Sequence, residues 1–187
     1  AAPSANLSGR PSPTKAEHVI KDLSGKIDAI VAGGDCTVGV ESTVITLVGE
    51  HPRLLRPGAV TREELAEILP DIIVDKAVLS EPEKGEKVSS PGMKYKHYSP
   101  ETETYLVTGD SLKYADFVNG KKNAAAICFA EEYQNINIHK IVYGSGSDAA
   151  TLAKNLFAVL READGIGVES LGKVEDVDVG IHLKSYA

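Results

Sequence analysis

The sequence predicts an α/β protein in three parts: a first α/β segment, an extended linker and a small three-layer α/β domain. Three observations predict it. From Thr102 onward short apolar runs alternate with helical stretches, the order of a largely parallel sheet with helices on its faces. Residues 42–48 are β-branched and bounded by turn residues, the clearest strand in the chain. Residues 73–101 show little amphipathic period and are rich in Glu, Lys, Pro, Ser and Gly in their middle, which is linker composition. The expected boundaries are therefore 1–72, 73–101 and 102–187.

The elements follow in order. Residues 1–13, rich in Pro, Ser, Gly and Asn, read as a loop. Thr14 and Glu17 have capping-box spacing for a helix whose apolar face is Ala16, Val19, Ile20 and Leu23, with Gly25 as its stop. Residues 29–32 read as a buried strand entering the turn at Gly33-Gly34. Residues 42–48 are expected to pair with 53–56 across a turn at 49–52. Thr61 and Glu64 predict a second capping box, with Leu65, Ile68 and Leu69 as the buried stripe and Pro70 as the end. Further on, strands are expected at 105–107, 124–130 and 138–143, with a helix at 111–118. Ser147 is the expected cap of a long helix with Ala149, Leu152, Ala153, Leu156, Leu160 and Ala163 as its stripe, stopping near Gly165-Ile166-Gly167.

Composition excludes several function classes. The formal net charge of -7 argues against nonspecific nucleic-acid binding through bulk charge, though not against a local basic patch. No apolar run approaches the ~20 residues that span a bilayer, and no basic start leads into an apolar stretch, so neither a membrane anchor nor a signal peptide is expected. Cys36 and Cys128 lie far apart and outside any CxxC pair. They read as two buried or idle thiols of a reducing cytosol. His18 and His51 are expected in solvent, His139 beside a strand and His182 near the terminus. No HExxH, HxH or carboxylate cluster predicts a metal site. The chain opens at Ala1 without Met and goes at once into Ala2-Pro3-Ser4-Ala5-Asn6, which reads as the interior of a domain.

Four constellations can carry chemistry. The run Pro3-Ser4-Ala5-Asn6-Leu7-Ser8-Gly9-Arg10-Pro11-Ser12-Pro13-Thr14 crowds hydroxyl and amide groups into a Gly/Pro loop at a helix start, where phosphate and carboxylate groups bind; a capped surface turn is the alternative. It is not a Walker loop. Gly39-Val40-Glu41-Ser42-Thr43-Val44 sets two hydroxyls at a strand mouth, a ligand position or an ordinary strand start. Leu54-Leu55-Arg56-Pro57-Gly58 offers a guanidinium fork to a phosphate, or a surface Arg at a strand end. Ser90-Pro91-Gly92-Met93-Lys94-Tyr95-Lys96-His97-Tyr98-Ser99-Pro100 gathers two Lys, a His and two Tyr, the make-up of a lid over an anionic ligand. Met93, Tyr95 and Tyr98 predict that this segment packs on the first domain. Gly144-Ser145-Gly146 lacks the rest of GxGxxG and reads as a strand-to-helix turn.

Together, in this order and spacing, the four motifs resemble the long threonylcarbamoyl-AMP synthases. The first three look like the C-terminal half of a YrdC-like domain and the fourth like the interdomain linker. Residues 102–187 are similar to the family's small Rossmann-like domain mainly in architecture. The resemblance implies an L-threonylcarbamoyladenylate synthase: threonine, bicarbonate and ATP give threonylcarbamoyl-AMP and pyrophosphate, and a separate complex passes the threonylcarbamoyl group to tRNA. It implies that Ala2 and Ser42 line the threonine site and that Ser4, Asn6, Ser12, Arg56 and His97 contact ATP. Lys94 and Tyr98 would join His97 in a linker lid, and Mg²⁺ would accompany the ATP. A cytoplasmic location is implied, and direct tRNA contact is left open.

Two departures matter. The family's N-terminal half, with its Lys-x-Arg motif, is not in this sequence, so the polypeptide alone is expected not to catalyse the reaction. The run from Val177 to Ala187 also departs from the family's Gly-Leu-Gly strand and Asn-Arg helix. Two other readings compete. One is a carbamoyltransferase with a YrdC-like domain, disfavoured by the linker motif. The other is an RNA- or nucleotide-binding module, disfavoured by the acidic charge and the few aromatic residues.

Overall fold

The computed structural model describes residues 4–79, 100–102, 104–169 and 178–182. The chain forms two compact units, Ala1–Gly39 with Ser99–Ala187, and Val40–Tyr98.

The first unit begins with a loop leading into helix α1 (Ala16–Leu23). Its expected capping box does not form. Lys15 holds the N-cap position without a side-chain bond, and the Thr14 N–H donates to His18 Nδ1 at 3.1 Å. The imidazole one turn along takes the Thr14 N–H that the Glu17 carboxylate would accept in a capping box. His18 is thus half-buried rather than in solvent. Ile20, expected in the apolar stripe, is 49% exposed, and the fully buried residue of this helix is Asp22. Gly25 ends the helix with φ of 74°, where a side chain would be strained. Residues 29–32 do not form the buried strand that their composition suggests. They have no ladder partner among the described residues, and Val31 is 93% exposed.

The second unit holds a three-stranded sheet in the order β1 (Val44–Thr46), β2 (Arg53–Arg56), β3 (Ile73–Val74). β1 and β2 pair antiparallel as expected, with Val44 opposite Arg56 and Thr46 opposite Arg53. β3 joins β2 in parallel, and helix α3 (Lys76–Leu79) follows it, both within residues that composition assigns to the linker. Helix α2 (Arg62–Ala66) starts on the expected capping box: Thr61 N–H donates to Glu64 Oε2 at 2.7 Å, and Glu64 N–H to Thr61 Oγ1 at 3.2 Å. The helix ends four residues before Pro70. Ile68 and Leu69 both fall outside it, Ile68 exposed and Leu69 half-buried, so within the helix the expected stripe shortens to half-buried Leu65.

The remainder of the first unit is a four-stranded parallel sheet with helices. It contains β4 (Thr104–Val107), α4 (Ser111–Asn119), β5 (Ala124–Phe129), a 3-10 turn (Ala130–Asn135), β6 (His139–Gly144), α5 (Ala149–Glu169) and β7 (Asp178–His182). The sheet order is β4-β7-β5-β6, so the strand latest in sequence lies between two earlier ones. β5 is buried from Ala125 to Phe129 without alternation, as a central parallel strand should be. Tyr114, Ala115 and Val118 form one face of α4 and pack with Ala126, Cys128 and Ile136. The Tyr114 hydroxyl donates to the Ile127 carbonyl at 3.0 Å, and burial raises its pKa.

Two expectations about α5 change. Asp148, not Ser147, caps it, accepting the Thr151 N–H at 3.1 Å, because Ser147 is bonded to Ser145 in the preceding turn. The helix also runs through Gly165 and Gly167 instead of stopping there. Phe157, Val159, Leu160 and Ala163 are buried, so the helix is covered on more than the predicted stripe, while Ala149 stays exposed.

Candidate functional site

In the loop ahead of α1, Asn6 is half-buried. Its Nδ2 donates to the carbonyls of Leu7 (3.0 Å) and Arg10 (3.1 Å), closing the loop on itself. Asn6 Oδ1 is buried without a partner among the described residues. Ser4 is exposed at the start of this loop, and Ser12 is half-buried near its end. The loop is fastened from below by Asp22, 1% exposed, which accepts the Leu7 N–H at 3.4 Å. Arg161 of α5 binds Asp22 with two bonds, 3.2 and 2.7 Å, and the Pro11 carbonyl with two more, 3.0 and 2.6 Å.

Burial would raise the Asp22 pKa. The hydrogen bonds and charge of Arg161, the Leu7 N–H and the charge of Arg10 outweigh it and hold the carboxyl below its usual range. His18 lies in the same neighbourhood. Burial lowers its pKa first and the Arg161 and Lys15 charges add to this, while Glu17 and Asp22 pull the other way. Arg10 pairs with Glu101 as well as facing Asp22 at 3.8 Å. An open cleft of about 440 Å³ lies here. The carboxylates of Glu17, Glu101, Glu162 and Asp164 offset its cations, so it has no clear preference for an anion.

In the second unit, Ser42 and Arg56 come together. Arg56 Nε donates to the Ser42 carbonyl and its NH2 group to Ser42 Oγ, both at 3.0 Å, with Glu41 at 3.7 Å. Strand pairing sets this up, because Val44 opposite Arg56 puts the residues just before β1 beside the end of β2. Gly58 lets the chain double back tightly. A Cβ there would lie 2.3 Å from the Thr43 N and 2.5 Å from the Glu41 carbonyl oxygen. Thr43 Oγ1 completes the knot, donating to the Val60 carbonyl at 2.7 Å. The guanidinium read from sequence as a phosphate ligand is therefore held by the Ser assigned to threonine. Ala2, Lys94, His97 and Tyr98 lie outside the described residues.

Sequence reasoning missed Asp22 and Arg161, while Glu41 and Gly58 stood inside the quoted motifs without a role of their own. Of the missed pair, Arg161 left a trace, as a charge adjoining the apolar run from Leu156 to Leu160. Cys128 is buried with its thiol pushed up to about 11, which makes it inert, whereas Cys36 is exposed; both are free. Among the described residues, no cluster of three His, Cys, Asp or Glu could hold a metal, and no helix is long and apolar enough to cross a membrane.

The comparison with family models matches residues 60–183 to the threonylcarbamoyl-AMP synthase C-terminal domain and residues 1–58 to a family described as telomere recombination. The chain belongs to the threonylcarbamoyl-AMP synthase C-terminal domain family. Among relatives in this family, a threonylcarbamoyl-AMP synthase of Pyrococcus abyssi is 41% identical over 180 residues, covering 90% of this chain and 50% of the relative. One of Bacillus subtilis is 38% identical over 188 residues, covering 98% and 54%. The chain thus spans about half the length of the curated relatives it matches. The fold agrees with the family. The crystal structure of P. abyssi Sua5 complexed with L-threonine aligns over 99% of this chain and 59% of that one, with a TM-score of 0.73 and 29% identity. A P. abyssi Sua5 carrying Ala in place of a His and the adjoining Tyr aligns over 96% and 50%, with a TM-score of 0.74 and 34% identity.

Proposed function

We propose that the chain carries substrate contacts of an L-threonylcarbamoyladenylate synthase, which turns threonine, bicarbonate and ATP into threonylcarbamoyl-AMP and pyrophosphate for tRNA modification. The observation that carries this is the Arg56–Ser42 knot. It occurs in a chain similar over nine-tenths of its length to a synthase, and similar in fold to a structure complexed with L-threonine.

In this reading Ser42 and Ala2 are assigned to threonine, and the Arg56 bonds fix Ser42 in place. Ser4, Asn6, Ser12 and Arg56 are assigned to the nucleotide. The carbamate oxygen of N-carboxythreonine attacks the α-phosphorus, the bond to the bridging oxygen breaks, and pyrophosphate leaves. Such a step needs alignment and charge neutralisation more than a covalent nucleophile.

Lys94, His97 and Tyr98 form the lid. His97-Tyr98 is the single His-Tyr pair in the sequence, and an adjoining His and Tyr are what the second P. abyssi structure replaces. Mg²⁺ would come with the triphosphate and neutralise its charge; no protein ligand is assigned to it. The division into a catalytic portion to residue 72, a linker to 101 and a small domain beyond belongs to the same proposal. So do a cytoplasmic setting and delivery of the product to a threonylcarbamoyl-transfer complex.

Calorimetric titration of the chain with Mg²⁺-ATP and with threonine tests the reading. ATP binding that strengthens with threonine is expected, and Arg56→Lys should weaken both. A folded chain that binds neither ligand would overturn the proposal.

A further inference from the structure

We infer that Arg161, on α5, is a positioning residue that fixes the shape of the proposed nucleotide-binding loop at 4–12. The inference rests on the proposed reading of Ser4, Asn6 and Ser12 as nucleotide contacts. Arg161 lies on α5, 150 residues from Pro11, and is itself buried. Its fork makes four bonds, two to the Pro11 carbonyl and two to Asp22. Asp22 passes the constraint on by accepting the Leu7 N–H. Leu7 and Pro11 are thus both pinned, and between them Asn6 ties the carbonyls of Leu7 and Arg10 together. One turn along α5, Asp164 accepts the Thr102 N–H at 3.0 Å, so the same helix also anchors the chain where it re-enters this unit.

The arrangement suits positioning better than stabilisation. A buried ion pair adds little stability over apolar residues of the same volume, but it fixes direction. A loop ordered in advance spares the ligand that ordering cost on binding. A Lys at 161 would keep the charge but could not reproduce a planar fork shared between a carbonyl and two carboxylate oxygens.

The test measures Mg²⁺-ATP affinity of the full chain with threonine present, for wild type and Arg161→Lys, below both melting temperatures. Loss of charge-assisted hydrogen bonds that order the loop is expected to weaken ATP about tenfold. Threonine affinity should stay within about twofold, and Leu7 amide exchange should quicken. Tyr114→Phe, which removes a buried hydrogen bond away from the loop, should lower stability and leave ATP affinity unchanged. That separates positioning from general weakening.

Equal ATP affinity in wild type and Arg161→Lys overturns the inference. Wild type that binds no ATP instead removes the nucleotide reading, and Leu7 exchange then decides the clamp alone: faster in Arg161→Lys supports it, unchanged overturns it. Should Arg161→Lys not fold, Asp22→Asn is read by the same two measurements.

Discussion

Arg161 and Asp22 form a two-pronged ion pair in which the carboxylate side chain is fully shielded from water and the guanidinium 8% exposed. The shielding makes the pair sensitive to loss of either member. Without Arg161, Asp22 would keep only the Leu7 N–H and the more distant Arg10 at 3.8 Å, with no solvent to replace the lost bonds.

Replacing Arg161 by Met should therefore cost roughly 3–5 kcal/mol, and Asp22→Leu combined with Arg161→Met should recover part of it. Urea denaturation of the two variants checks this. The same pair fixes the acid limb. The Asp22 pKa is lowered on folding, so its stabilisation is present above the unfolded value of about 3.9 and lost as pH falls through the folded value. The advantage of wild type over Asp22→Asn should shrink on that descent. An advantage independent of pH would contradict the geometry.

His18 gives the second pH dependence. Its ring accepts the Thr14 N–H, and burial with the Arg161 charge lowers its pKa. The neutral ring is the stabilising form. Its contribution is complete above the unfolded pKa of about 6.5 and is lost as pH falls below that toward the folded value. Urea midpoints of wild type and His18→Gln should differ most near pH 7.5 and converge toward pH 5. A gap that widens on acidification would place a carboxylate, rather than Arg161, in control of the ring.

Gly58→Ala tests the knot in the second unit. The added methyl must displace the backbone at 41–43, with an overpacking cost of about 1–3 kcal/mol. Because the displaced segment carries Ser42, threonine affinity should fall along with stability. Gly49→Ala, at a turn where nothing lies within 4 Å of the new methyl, should lower stability through backbone strain alone.

Thr61→Ala removes half of the α2 capping box and should cost about 1 kcal/mol by urea denaturation. Thr14→Ala should cost α1 less through capping, since Thr14 makes no cap bond there.

The contrast between those two threonines shows how far the sequence could be read. Both have Glu three residues on. Thr61 has an apolar Leu65 one turn away, and its box forms; Thr14 has His18 there, and the ring takes the Thr14 N–H. The β1–β2 pairing and the α4–β5–β6–α5 succession were legible because apolar period and turn residues are local signals. Residues 29–32 were misread because an apolar run fixes a strand only when a partner supplies the ladder. β3 is two residues long, too short for any period to declare itself. At the candidate site, Ser42 and Arg56 were each legible as polar residues at strand ends, but their bond was not, since it depends on register. Asp22 and Arg161 are 139 positions apart, and no local pattern links them.

The place of β7 sets a schedule for the sheet. Residues 104–107 and 124–129 leave the ribosome well before residues 178–182, yet they are joined only through them. Until β7 emerges, β5 and β6 can pair, while β4 waits across a gap one strand wide. Synthesis therefore delivers the seam last. The exposed edges of β4 and β5 must stay apart from other chains for the time it takes to add some fifty residues after β5, which makes this interval the stage of biogenesis most open to mispairing.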